Sequence, residues 1–209
     1  MINFAPDNPI ARLLEAPPLQ QMAFQALSRG RNLNQSEIDR FREHGVVAIN
    51  LFKPWSTQVD WVLFNGEYFE FVDEGDDRGE QVFTMGVISD NGLIDAVAWH
   101  PASGRLAAWL GLGFALGESQ ISDHMENGST GLPVFRSPLD WLRAGCEGIV
   151  IVRKTFAHIV LKKVPLLLAE DESHRIELVG MFPVGGARPR ILVRGSADLD
   201  PAVELEAAA

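Results

Sequence analysis

Carboxylates and imidazoles gather at two places in this 209-residue chain, and together they are the residue types that hold a metal ion. Asp123, His124 and Glu126 form one group, and Glu170, Asp171 and His174 form the other. Carboxylate oxygens and imidazole nitrogens suit Zn²⁺, Mn²⁺ or Fe²⁺. Asp171 and His174, three residues apart, would share one face of a helix. Neither group matches H-E-x-x-H, or H-x-E followed by C-x-x-C. The plainer reading is therefore a set of solvated loop carboxylates, with Asp171 or Ser173 capping a helix. His100, between Trp99 and Pro101, is a candidate general base, with Asp95 on the same strand as its candidate companion. Its alternative is a turn histidine following a strand whose tryptophan points inward. Cys146 follows Gly145 at the end of an expected helix, beside Glu147. Both the helix dipole and that glutamate disfavour a thiolate there, so Cys146 reads as a small buried residue.

Other patterns fail on spacing. The run Gly111-Leu112-Gly113-Phe114-Ala115-Leu116-Gly117 is glycine-rich but lacks the intervals of a dinucleotide fingerprint, and it follows an expected antiparallel strand. Val184-Gly185-Gly186-Ala187 has no Lys-Ser or Lys-Thr to complete a phosphate loop, and no G-x-S-x-G elbow exists. Trp55, Trp61 and Trp109 are candidates for a partner-binding surface, since tryptophan is enriched at interface hot spots. Their alternative is the core.

The elements that would position these residues fall into three stretches. The first 45 residues read as helical: one helix over 9–16, one from about Leu19 to Ser28, and a short one capped by Ser36 and stopped by Gly45. From Val46 the pattern becomes extended. Asn65-Gly66 joins 60–64 to 67–72, Asp90-Asn91-Gly92 joins 81–89 to 93–99, and a turn over 101–104 precedes 105–110. That spacing predicts an antiparallel meander. Residues 117–132 read as a long polar loop. An α/β pattern follows, with a helix opened by Ser137-Pro138, a strand over 148–152, a helix over 155–163 and a helix over about 171–181. A last strand is expected over 190–193. The expected fold is α+β, with N-terminal helices, a central antiparallel meander and a C-terminal α/β segment around one core. Residues 1–45 would pack on a single domain over 46–195, with a flexible tail over 196–209.

Composition narrows the function classes. The net charge of −10 repels phosphate backbones, and no basic run exceeds two residues, so direct nucleic-acid binding is disfavoured. A basic protein partner is compatible with the same charge. The longest apolar runs fall short of the roughly 20 residues of a membrane span. One cysteine permits no intrachain disulfide, and the first residues lack the charged and apolar regions of a secretory signal. A cytoplasmic protein is expected, with no membrane association and no cofactor identified.

Asp95-Ala96-Val97-Ala98-Trp99-His100-Pro101, the segment 137–145 (Ser-Pro-Leu-Asp-Trp-Leu-Arg-Ala-Gly) and Gly148-Ile149-Val150-Ile151-Val152 resemble an uncharacterised group of proteobacterial proteins found with phage or plasmid genes. The resemblance covers roughly residues 80–180. It implies a bacterial, mobile-element setting and transfers no activity. Two functions stay open: a non-enzymatic accessory protein that binds another protein, and a metal-dependent hydrolase or nuclease-like enzyme using the His and Asp cluster.

Overall fold

The computed structural model describes residues 18–53, 55–126 and 130–195; the helix expected over 9–16 and the tail over 196–209 lie outside them. The chain is an α+β fold built on two sheets whose facing sides share a core.

The first sheet contains β1 (Arg31–Asn32), β2 (Gln58–Asn65), β3 (Tyr68–Phe71), β4 (Glu80–Ser89), β5 (Gly92–His100) and β6 (Arg105–Ala108). Its order is β1-β2-β3-β6-β5-β4, and β2 also bonds β4, so five of the strands close into a ring. β4, β5 and β6 form the expected meander, while β3 meets β6 in parallel at the single pair Tyr68↔Ala108. In the first hairpin Asn65 pairs with Tyr68, which leaves Gly66-Glu67 as the two-residue turn. The turn lies one residue beyond the expected Asn65-Gly66. Gly66 has φ +63° and Glu67 does not share the positive sign, a combination that places glycine at the first turn position.

Strand alternation sorts the side chains of the ring. Val62, Phe69, Val82, Ala96, Ala98 and Ala107 face one way, and Ala23 and Leu27 of helix α1 (Pro18–Leu27) pack against them. The three alanines leave room for the Phe69 ring and the helix. Met85, Val87, Val97 and Trp99 face the other way, towards the second sheet. Helix α2 (Gln35–Glu43) adds Phe41 to that side. Its cap is Asn34 rather than the expected Ser36: Glu37 N–H donates to Asn34 Oδ1 at 3.0 Å, and Asn34 N–H donates to Glu37 Oε2 at 2.8 Å. The run from Val46, expected to be extended, instead forms a 3₁₀ turn over Ala48–Phe52.

The second sheet contains β7 (Ala115–Leu116), β8 (Leu132–Phe135), β9 (Ile149–Ile151), β10 (Leu166–Ala169) and β11 (Arg190–Val193), in the order β11-β10-β8-β9-β7. All neighbours are parallel except β7 with β9. Helix α3 (Gln120–Glu126) occupies the stretch expected to be a loop, anchored by buried Ile121. Helix α4 (Pro138–Arg143) joins β8 to β9 and sends Trp141 and Leu142 into the shared core. β9 reaches β10 through two 3₁₀ turns flanking α5 (Ala157–Val160), and β10 reaches β11 through α6 (Glu172–Gly180). Ala157, Leu161 and Leu178 of these connections pack on the opposite face, with Leu132, Val134, Ile149 and Leu167. The chain therefore leaves β8 over one face and β10 over the other.

Candidate functional site

Asp95 is fully buried, and its carboxylate accepts four backbone N–H groups. Ala96 and Leu110 donate to Oδ1, both at 2.8 Å, and Leu112 and Gly113 donate to Oδ2 at 2.8 and 2.9 Å. Glu118 continues the pattern, accepting from Phe114 N–H at 2.6 Å and Ala115 N–H at 3.2 Å. Burial pushes the Glu118 carboxyl above its ordinary range, and those two amides oppose the shift. The glycine-rich run thus presents a row of amides that could cradle an anion, but two internal carboxylates already occupy it.

His100 lies five residues from Asp95 on β5, an odd interval, so the two side chains leave opposite faces of the strand. Its Nδ1 accepts from Ser103 N–H at 3.2 Å within the turn after β5, and its Nε2 lies 3.8 Å from Glu80 Oε2. Asp95 and His100 therefore do not converge on one reacting atom. Cys146 has φ +65° and sits among core residues, and burial raises its thiol to about 12 against the weaker pull of Lys53.

Asp123 and His124 lie on α3, where His124 Nδ1 is 2.9 Å from the Gln120 carbonyl one turn back. Asp171 and His174 do meet, as the N-cap and a first-turn residue of α6: His174 N–H donates to Asp171 Oδ1 at 2.8 Å. Among the described residues, no three His, Cys, Asp or Glu side chains are grouped to hold a metal ion. The first cluster is not brought to the second.

What Asp171 and His174 meet instead is Arg136, which directly follows β8. Its Nη1 and Nη2 donate to the two Asp171 oxygens at 2.6 and 2.9 Å, a two-pronged ion pair. Nη2 also reaches Glu177 at 3.2 Å, and the Arg136 amide donates to Glu170 Oε2 at 3.1 Å. The guanidinium holds the Asp171 carboxyl well below its ordinary range. Burial pushes Glu170 up and His174 down, the latter helped by the positive charge of Arg136. His174 Nδ1 accepts the Glu170 N–H at 3.2 Å, so the ring is neutral and its 3.4 Å approach to Glu170 Oε2 is no ion pair. A cavity of about 250 Å³ opens here, and Arg136, Lys154, His174 and Glu177 supply its polar lining. Arg136 and Lys154 escape sequence reasoning because only the strand order brings them to His174.

The tryptophans take three different positions. Trp55 packs edge-on to Phe24, with ring centroids 5.9 Å apart. Trp61 borders a recess of about 200 Å³ beside Arg29, Arg31 and Asp60. Asp60 was not singled out in the sequence; its buried Oδ2 has no partner among the described residues, and burial raises its pKa. Trp109 forms part of the wall of an open groove of about 520 Å³, with Met22 and Ala26 of α1 and Phe71 of β3. Trp109 meets Phe71 edge-on with ring centroids 5.6 Å apart, and the Arg29 guanidinium lies over the Phe71 ring, 5.2 Å from its centroid. Arg29 also donates to the Val72 carbonyl at 3.2 Å and pairs with Asp73 at 3.8 Å. Glu70 stands on the rim, and the acidic turn Asp73-Glu74-Gly75-Asp76-Asp77 continues from the end of β3.

Among the described residues no helix is long and apolar enough to cross a membrane. No protein-family model matches the chain, and no curated protein or solved structure shows significant similarity to it.

Proposed function

We propose that this is a non-enzymatic accessory protein that binds another protein, taking a basic amphipathic segment of that partner into the groove at Trp109. The groove carries the reading. Its wall combines Met22, Ala26, Phe71 and Trp109, apolar anchors of the kind that receive one face of a helix. Its border is net acidic: Glu70 stands on the rim, the lining cation Arg29 is paired with Asp73, and Glu74 and Asp77 stay exposed in the turn that follows. An apolar floor beside an acidic border suits a segment with leucine-like residues on one face and lysine or arginine on the other. The chain's net charge of −10 would speed the encounter with such a partner. The mobile-element setting that the sequence resemblance implies makes products of neighbouring genes the first partners to examine.

The direct test uses a labelled Leu/Lys amphipathic helical peptide and fluorescence anisotropy. Saturable binding that weakens with salt, and that drops about tenfold in Met22→Asp but not in Ile176→Asp, supports the reading. Binding that Met22→Asp leaves untouched, or no binding, overturns it.

A further inference from the structure

We infer that the cavity between helix α6 and the carboxyl ends of β8 and β9 is a second binding site, built for a small monocarboxylate with an apolar body. Topology makes the opening. Helix α6, arriving from β10, and its C-cap roof the ends of β8 and β9 with one helical face: His174, Glu177, Leu178 and Met181.

The cavity has two distinct halves. Val134, Ile151, Leu178 and Met181 form an apolar floor that continues the core beneath it. An apolar cavity of about 150 Å³ is enough to take a benzene-sized molecule, so about 250 Å³ holds a short branched chain together with its carboxylate. The polar half is led by His174, whose side chain is only 4 % exposed. Because Nδ1 accepts the Glu170 N–H, the proton resides on Nε2. That Nε2–H makes no hydrogen bond among the described residues, though the ring lines the cavity. The Nε2 atom is not sealed from solvent, so it is a donor open to the cavity, and a carboxylate oxygen would supply its acceptor.

Charge selects the ligand class. Lys154 lines the same cavity and has no ion-pair partner among the described residues. Arg136 is committed to Asp171 and Glu177, and by pairing Glu177 it reduces the repulsion that carboxylate would exert on an anion. One available cation and one neutral donor match one negative charge with two acceptor oxygens. A phosphate dianion would need more positive charge than these groups offer, and it has no apolar part for the floor.

The experiment titrates ¹⁵N-labelled full-length protein with 3-methylbutanoate, with 3-methylbutan-1-ol and, separately, with inorganic phosphate, following amide shifts by NMR. The carboxylate is expected to saturate within about 10 mM and to shift the amides of Ile151, Lys154, His174 and Leu178. The alcohol should bind about tenfold more weakly, as should the carboxylate to the exposed-site variant Lys154→Gln. Met181→Trp, which fills the floor, should abolish the shifts. The site is refuted if the carboxylate shows no saturable shifts, if its shifts map elsewhere, or if Lys154→Gln binds it unchanged. Equal affinity for the alcohol, or tighter binding of phosphate, refutes the proposed ligand class.

Discussion

At the scale of single residues, Asp95 shows how a group suited to chemistry can be fully engaged in architecture. Its two oxygens fix the turn that leads out of the first sheet, each accepting two amides. Asparagine would keep one acceptor oxygen but set an N–H₂ group against two N–H donors. Asp95→Asn should therefore lose about 3 to 5 kcal/mol of stability, as hydrogen bonds to a buried charge become donor–donor contacts. Urea unfolding measures this, and a loss below about 1 kcal/mol would show that the carboxylate does not hold the turn. Part of this was legible beforehand. The odd interval between Asp95 and His100 already places them on opposite faces of any strand. The amides that reach Asp95 come from residues 110–113, a contact that no local pattern announces.

At the scale of elements, local chemistry was read well wherever a turn or cap determined the geometry. Ser137-Pro138 opens α4 as expected, with Ser137 Oγ accepting the Asp140 N–H at 3.2 Å. The expected last strand over 190–193 is β11. The reading failed where composition was ambiguous. Val46-Val47-Ala48-Ile49 looks like a strand, yet Val47 and Ile49 are 62 % and 55 % exposed, and the segment folds as a 3₁₀ turn around Leu51. Helix α3 has one fully buried residue, too little to print a helical period on a polar stretch. The cap of α2 offers a sharp comparison between neighbouring residues. Asn34→Ala should cost about 1 kcal/mol, because it breaks the reciprocal bonds with Glu37, whereas Ser36→Ala should cost close to nothing. Equal losses in thermal melts would show that the box does not anchor the helix.

At the scale of the whole molecule, sheet order decides which distant residues meet, and sheet order is what the sequence pattern did not contain. The α+β class followed from hairpin signals in the middle and alternating strands and helices at the end. That β10 would lie beside β8, and so bring Arg136 to Asp171 and His174, depends on long-range pairing. The same meeting gives stability a pH dependence. The folded His174 pKa lies below its ordinary 6.5, because burial disfavours the charged ring. The unfolded chain therefore takes up the proton first, and the stability contributed by the neutral ring is complete above 6.5 and declines below it. The folded Asp171 pKa is also depressed, so its contribution is complete above the ordinary value of 3.8 and is lost only as pH falls through the lower folded value. The raised Glu170 acts in the opposite sense, its protonation favouring the folded chain as the medium turns acid. Comparison with His174→Gln isolates the histidine. The stability gap between wild type and variant should be widest near neutrality and narrow as pH drops below 6.5, read by chemical denaturation across that range. A gap that stays constant would show that the ring carries no such preference.

The parallel meeting of β3 with β6 carries a consequence for how the molecule opens. Every other joint of the ring is an antiparallel ladder of several residue pairs, but this one rests on Tyr68↔Ala108 and the Ala108 N–H donated to Glu67. A hoop with one short seam parts at that seam before its staves separate. Transient opening would swing the β2–β3 hairpin outward as a flap while β4, β5 and β6 stay joined. Trp109, next along from Ala108, lies against Phe71 on that flap, so the opening would widen the groove without unfolding the domain. The width of the groove would then follow the breathing of one clasp, allowing segments of differing bulk to enter the same groove.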